Sequence, residues 1–106
     1  MTSIATPSRG TAEISTWRVE MEAGAQGPAH TISREQIWAI LDGSATVTID
    51  SGTHEVRAGD ALVLPPTETR QITAGNEGLQ ALVSMPAGGH ATIPGNSAVH
   101  PLPWAA

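Results

Sequence analysis

The most informative stretch of the sequence is Gly59-Asp60-Ala61-Leu62-Val63-Leu64-Pro65-Pro66-Thr67-Glu68-Thr69-Arg70. It opens with a Gly-Asp pair, which favours a turn, and continues with four apolar residues, enough for one short strand. Two prolines then end that strand, because proline has no backbone N–H to offer a sheet. The stretch therefore predicts a turn, a strand and a corner, after which a new strand begins with Arg70.

Short apolar runs separated by turn residues extend over most of the chain. In Trp17–Glu22 and Ser44–Asp50, apolar and polar residues alternate, which is typical of strands with one buried face. The other predicted strands are His30–Ser33, Glu35–Leu41, His54–Arg57, Ala61–Leu64, Arg70–Thr73 and Leu79–Met85. No segment has helical periodicity, so about eight strands at intervals of about 8–12 residues predict an all-β sandwich or barrel.

Glycine and proline also divide the chain into three parts. Residues 1–13 are small and polar and predict a flexible N-terminal arm, while residues 14–85 contain all of the predicted strands. Residues 86–106 are rich in proline and glycine, and we expect this tail to lie extended on the barrel, held by Trp104. Within the barrel, Asp42-Gly43 predicts a hairpin turn, and residues 74–78 predict the connection between the last two strands.

The composition of the 106-residue chain disfavours several classes of partner. Its net charge of −5 opposes binding to nucleic-acid phosphates or anionic membranes. No apolar run approaches the roughly 18 residues of a membrane span. With three tryptophans and no Phe or Tyr, a stacking surface for single-stranded nucleic acid is not expected. Cysteine is absent and Met1–Gly10 lacks a signal-peptide pattern, so we predict a cytoplasmic location.

Two motifs in this frame resemble those of the cupin β-barrels. The first motif of that family places a glycine before a His-x-His pair, a glutamate and a second glycine at fixed spacings. Gly24, His30 and Gly43 match this motif, with five residues between Gly24 and His30. Ile32 stands at the second histidine position, and Gln36 stands at the glutamate position with six residues between it and Gly43.

The second cupin motif lies in the stretch quoted first. Gly59 and Pro65 match its glycine and its proline. Thr67, Arg70 and Ala74 replace its second glycine, its histidine and its asparagine. The resemblance covers most of the chain and implies a single cupin-type jelly-roll barrel with an irregular C-terminal tail.

The resemblance also raises the question of a metal ion. In metal-binding cupins, the histidines and the glutamate of these motifs hold the ion inside the barrel. Ile32 has no donor atom, and Arg70 is permanently cationic and repels a divalent ion. We therefore expect no metal and no other cofactor. A divalent metal bound through His30 and Gln36, assisted by a tail histidine, is the alternative.

The same motif positions supply the candidate catalytic residues. His30 is predicted to move a proton, Gln36 to face the pocket and orient the substrate, and Arg70 to stabilise negative charge. The alternatives are a histidine bonded to a backbone carbonyl, a structural amide, and an arginine paired with Glu68 or Glu35. The residues predicted to line the substrate pocket are Trp38, Ile32, Ile40 and Ile72.

The resemblance implies a small, metal-independent cupin enzyme that converts a compact anionic or polar organic molecule in its barrel. Isomerase, cyclase or lyase chemistry in sugar or polyketide pathways is suggested by analogy. A non-catalytic binding or sensor module and a metallocupin with an irregular site are the alternatives. The resemblance also implies a homodimer, with Trp17 as a candidate contact residue.

Overall fold

The computed structural model describes residues 1–50, 52–95 and 98–106, and its strands form two antiparallel sheets. The strands in chain order are β1 (Thr2–Ala5), β2 (Ile14–Met21), β3 (Thr31–Ile32), β4 (Gln36–Ile49), β5 (Gly52–Arg57), β6 (Ala61–Leu64), β7 (Arg70–Pro86), β8 (His90–Thr92) and β9 (His100–Pro101). Short 3₁₀ helices lie at Pro7–Arg9 and Pro103–Ala105. Among the described residues, no helix is long and apolar enough to cross a membrane.

The two longest strands, β4 and β7, form the centre of the larger sheet and pair along most of their length. β2 pairs with the other edge of β7 and carries β1 on its outer side. The free edge of β4 pairs first with β6 and then with β5. The predicted all-β jelly roll is therefore confirmed.

The smaller sheet, in the order β3-β8-β9, joins the segment before β4 to the tail. Backbone hydrogen bonds link it to the larger sheet: His30 N donates to Arg70 O at 3.0 Å, and Arg70 N donates to His30 O at 2.8 Å. Because this pair is antiparallel, His30 lies directly opposite the first residue of β7. The sheets thus enclose one core.

Alternation along the long strands builds that core, since successive side chains point to opposite faces. In β2 the buried residues include Trp17 and Val19, and in β4 they include Trp38 and Val47. The interior also holds two polar side chains from motif positions, Gln36 at 3% and Arg70 at 1% exposure. Buried polar groups require partners, and those partners shape the site described below.

The structure corrects the two turns predicted inside the barrel. Asp42-Gly43 does not end a strand, because β4 passes through it with irregular pairing on either side. Residues 74–78 likewise lie within β7. In both strands the buried positions change from even-numbered to odd-numbered residues at these points. A β-bulge has this effect because it adds an extra residue to one strand. Asp42-Gly43 and residues 74–78 therefore form bulges rather than turns.

The N-terminal arm pairs with the barrel, and the end of the tail lies against both. β1 pairs with β2, and Ser3 Oγ donates a 2.6 Å hydrogen bond to the carbonyl oxygen of Trp104. Ser15 Oγ donates similarly, at 2.6 Å, to Ala105 O. The tail therefore lies on β1 and β2, with Leu102 and Ala105 buried. The alternation of apolar and polar residues did not predict this pairing, because a strand as short as β1 has too few residues to show a period.

We expect Gly43→Ala to unfold at a markedly lower temperature than Gly24→Ala. Both glycines have positive φ angles, 76° and 72°. A Cβ at Gly43 would overlap the carbonyl oxygen of Gly78, whereas a Cβ at Gly24 meets no described atom within 4 Å. Gly24→Ala should lose about 1 kcal/mol through backbone strain, or about 4–8 °C in Tm. Thermal unfolding followed by circular dichroism measures both, and equal losses would contradict close packing of the bulges.

Candidate functional site

A cavity of about 180 Å³ lies inside the barrel, between the motif residues and the tail. An engineered apolar cavity of about 150 Å³ is known to hold benzene, so this space suits a similarly compact molecule. The structure brings several of the predicted site residues to its wall, namely His30, Ile32, Gln36, Trp38 and Ile72. Ile40 and Arg70 are buried but are not among the residues that line it.

His30 is half-buried at the cavity wall, and its ring orientation is fixed by the loop before β3. Nδ1 lies 2.8 Å from the carbonyl oxygen of Pro28. A carbonyl can only accept, so Nδ1 must carry the proton. In the neutral ring this leaves an unprotonated lone pair on Nε2, for which the described residues provide no hydrogen bond. The expected alternative, a histidine bonded to a backbone carbonyl, is thus present together with a free basic nitrogen.

Gln36 faces the barrel interior while Glu35 is exposed, as the alternation along the strand predicted. The indole Nε1 of Trp38 donates to Gln36 Oε1 at 3.1 Å. Because an indole N–H is only a donor, this bond assigns the oxygen side of the amide. Gln36 Nε2 lies 3.7 Å from Sδ of Met85, a weak acceptor. The amide oxygen therefore has a protein partner, and the amide nitrogen keeps donor capacity.

Arg70 is enclosed next to the Pro-Pro corner rather than exposed to the cavity. Its Nη2 donates to Pro65 O, and its Nε donates to Glu68 O at 3.2 Å. Nη1 is buried and has no partner in the described part of the chain. Burial lowers the pKa of Arg70, and the nearby charge of Glu68 opposes that shift. An arginine nevertheless stays protonated. This geometry holds the corner together and differs from the predicted ligand anchor.

The cavity wall includes residues that were not predicted for it. Trp17 and Glu20 come from β2, and Leu102 and Trp104 come from the tail. The tryptophan side chains matter most, because together with Trp38 they are all of the tryptophans in the chain. The sequence gives one indication of this role: because the chain has no Phe or Tyr, only the three tryptophans could stack on a bound molecule. Their convergence depends on the docking of the tail, which no local pattern reveals.

The donor atoms at the motif positions do not fit a divalent metal ion. His30 offers one nitrogen, Ile32 offers none, and the oxygen of Gln36 already accepts from Trp38. Arg70 brings a positive charge to the position of a histidine ligand. Within residues 1–50, 52–95 and 98–106, no group of three or more His, Asp or Glu side chains could hold a metal ion. His90 lies outside this cavity, at the wall of another surface hollow.

Comparison with known proteins supports the fold and the match to the two cupin motifs. The family profile described as Cupin domain matches residues 17–85. This chain belongs to the cupin family. The matched segment contains His30, Gln36 and Arg70, so these motif positions lie within the cupin domain.

The similar proteins include enzymes named as lyases. Dimethylsulfoniopropionate lyase DddW of Ruegeria pomeroyi is 39% identical over 61 residues, which are 58% of this chain and 40% of that protein. The crystal structure of the DMSP lyase DddQ of the same organism has a TM-score of 0.74 at 20% identity, covering 83% of this chain and 46% of that one. This chain therefore spans less than half of each of these relatives.

A second structural relative is closer in size. KdgF from a Halomonas species has a TM-score of 0.71 at 20% identity, covering 80% of this chain and 74% of that one. At this level of identity, DddQ and KdgF show the shared fold and no more. Substrate and reaction must be argued from the site itself.

We expect Arg70→Met to lower the free energy of unfolding by about 2–3 kcal/mol, since the carbonyls of Pro65 and Glu68 lose charge-assisted hydrogen bonds. Arg57→Met is the matched control, because Arg57 is exposed on β5. The control should stay within about 0.5 kcal/mol of the unaltered protein. Urea denaturation followed by tryptophan fluorescence gives both values. A midpoint for Arg70→Met equal to that of the control would show that Arg70 does not hold the corner.

Proposed function

We propose that this cupin is a small enzyme that works without a metal ion on a compact polar organic molecule in its barrel cavity. The proposal is supported by the contact between His30 Nδ1 and Pro28 O, from which the tautomer of His30 follows. Its Nδ1–H is bonded to Pro28 O, which leaves the lone pair on Nε2, and the His30 side chain lines a largely apolar cavity. An imidazole in such a place can accept a proton from a bound molecule at neutral pH.

Lyase chemistry is the reaction type that this arrangement supports best. His30 Nε2 takes a proton from a carbon atom, the electron pair of that C–H bond forms a C=C bond, and the group on the adjacent carbon leaves with its own bonding pair. Such an elimination needs one base and a site that excludes water. The similarity to DddW, which is named as a lyase, supports the same reaction type.

Gln36 has a positioning role in this proposal. Its oxygen is bound to Trp38 Nε1, and its amide nitrogen contacts only the weak acceptor Sδ of Met85. The amide can therefore donate a hydrogen bond to an oxygen of the bound molecule and hold it relative to His30. Arg70 acts at a distance in the proposal, by keeping the Pro65–Glu68 corner closed.

A non-catalytic binding module is the second candidate. It is favoured by the fact that Gln36 and Arg70, two of the predicted catalytic residues, already have protein partners. A module of this kind would bind the same compact molecules and release them unchanged. Turnover separates the two candidates.

We expect His30→Asn to lower kcat by about 10²–10⁴-fold, because asparagine keeps a polar side chain but cannot accept the proton. His54→Asn is the matched control, since His54 is exposed on β5. The assay follows consumption of dimethylsulfoniopropionate by NMR, and then of compact sugar acids. An unchanged kcat in His30→Asn would contradict the enzyme proposal. Binding without turnover across the panel would favour the binding module.

Elemental analysis of protein purified without a histidine tag tests the metal-free part of the proposal. We expect transition metals well below one equivalent, because the motif positions offer His30 alone as an uncommitted ligand. Addition of a chelator should leave turnover unchanged. Stoichiometric iron, manganese, zinc or nickel would contradict this expectation and would favour an irregular metal site.

A further inference from the structure

The segment before β3 lies along the start of β7 and has one residue more than the strand opposite. Gln26 pairs with Thr73, and His30 pairs with Arg70, both as antiparallel bridges. Four residue steps on one side therefore face three steps on β7, which is the arrangement of a β-bulge. Residues 26–30 are called the bulged segment below.

Within the bulged segment, the carbonyl group of Pro28 faces the imidazole of His30. Nδ1 of the ring lies 2.8 Å from Pro28 O. Since a carbonyl can only accept, the position of this oxygen decides which ring nitrogen carries the proton. Bulges are frequent next to active sites, where they redirect a side chain. The tautomer of His30 therefore depends on what holds the Pro28 carbonyl in place.

The Pro28 carbonyl is held by the peptide group that precedes it and by the proline ring. The ring restricts the φ angle of Pro28 to about −65°. The planar peptide between Gly27 and Pro28 is fixed at Gly27, whose N donates to Ile72 O at 2.9 Å and whose O accepts from Gln71 Nε2 at 3.1 Å. The hydrogen bond from Gln71 thus helps to set the plane from which the Pro28 carbonyl extends.

Gln71 lies on the outer face of β7, away from the cavity. Its neighbours Arg70 and Ile72 are buried, so the alternation along the strand directs the Gln71 side chain outward. It is not among the residues that line the cavity. Any effect of Gln71 on chemistry in the cavity must therefore pass through the bulged segment, and so through His30.

We propose that Gln71 is a positioning residue for His30. Its amide fixes the Gly27–Pro28 peptide, the Pro28 carbonyl holds the ring proton on Nδ1, and the lone pair of Nε2 is left for a bound molecule. The inference rests on the proposed function for the use of that lone pair, and it adds the residue that selects the tautomer. Without the bond from Gln71, part of the neutral His30 population carries its proton on Nε2 and cannot act as the base.

Nitrogen NMR of the imidazole tests the proposal in Gln71→Met, whose side chain has a similar length but no N–H donor. Loss of one side-chain hydrogen bond typically changes an equilibrium by about 2- to 12-fold. We expect the ratio of the Nδ1–H form to the Nε2–H form of neutral His30 to fall by a factor in this range. Gln71→Lys keeps a donor and should bring the ratio back toward that of the unaltered protein. An unchanged ratio in Gln71→Met, or no recovery in Gln71→Lys, would overturn the proposal.

Gln26→Met is the matched control for this experiment. Gln26 lies in the same bulged segment, and its amide donates to the hydroxyl of Thr73 at 3.2 Å instead of to the peptide before Pro28. The control therefore removes a side-chain hydrogen bond to β7 without releasing that peptide, and its tautomer ratio should equal that of the unaltered protein. An equal fall in Gln26→Met and Gln71→Met would mean that any loosening of the segment has the same effect, and Gln71 would have no special role.

A second variant tests the same route from the proline ring. Pro28→Ala keeps the carbonyl group but releases the restraint on φ, so the ratio should fall in the same direction as in Gln71→Met. Because both changes act on the orientation of one carbonyl, the fall in the double variant should be smaller than the product of the two single factors. Independent effects that multiply would overturn the route through the Pro28 carbonyl.

Turnover separates this proposal from the proposed function. The kcat of Gln71→Met should fall in step with the fraction of the Nδ1–H form, with KM unchanged because Gln71 does not line the cavity. If the tautomer shifts in Gln71→Met but no His30-dependent turnover is found, the catalytic proposal fails and the positioning of His30 stands. If turnover depends on His30 but the tautomer ratio is the same in Gln71→Met, the positioning role fails alone.

Discussion

The pairing of β4 with β7 determines which side chains form the core and line the cavity of this barrel. These strands run through both halves of the barrel, and each carries bulges that change which side chains face inward. The first half of β4 points Gln36 and Trp38 into the cavity, and the start of β7 brings Ile72 to the same space. Because register fixes the face of every later residue, one slipped pair would move these groups to the outside.

Within this frame, the side chains at the family's metal-binding positions make contacts of another kind. Ile32 contributes apolar surface, Gln36 holds the indole of Trp38, and Arg70 binds the carbonyls of the Pro65–Glu68 corner. The guanidinium is long enough to reach backbone carbonyls of its own corner, and in doing so it no longer faces the interior space.

Much of the fold could be predicted from the sequence, because period-two alternation and turn residues are local signals. The inward orientation of Gln36 and the outward orientation of Glu35 followed from the same alternation. The sequence predicts a turn at Asp42-Gly43 because Asp-Gly suits both a hairpin and a bulge, and only the continuous partner strand distinguishes them. The enclosure of Arg70 and the meeting of Trp17 with Trp104 depend on contacts between distant segments, which no local pattern contains.

The proposed function requires that His30 present an unprotonated Nε2 to the bound molecule. The nitrogen NMR spectrum of the imidazole ring, with the His30 signals assigned by comparison with His30→Asn, tests this most directly. We expect neutral His30 to carry its proton on Nδ1, as the bond to Pro28 O requires. A proton on Nε2 would contradict it, because the nitrogen assigned as the base would then be a donor.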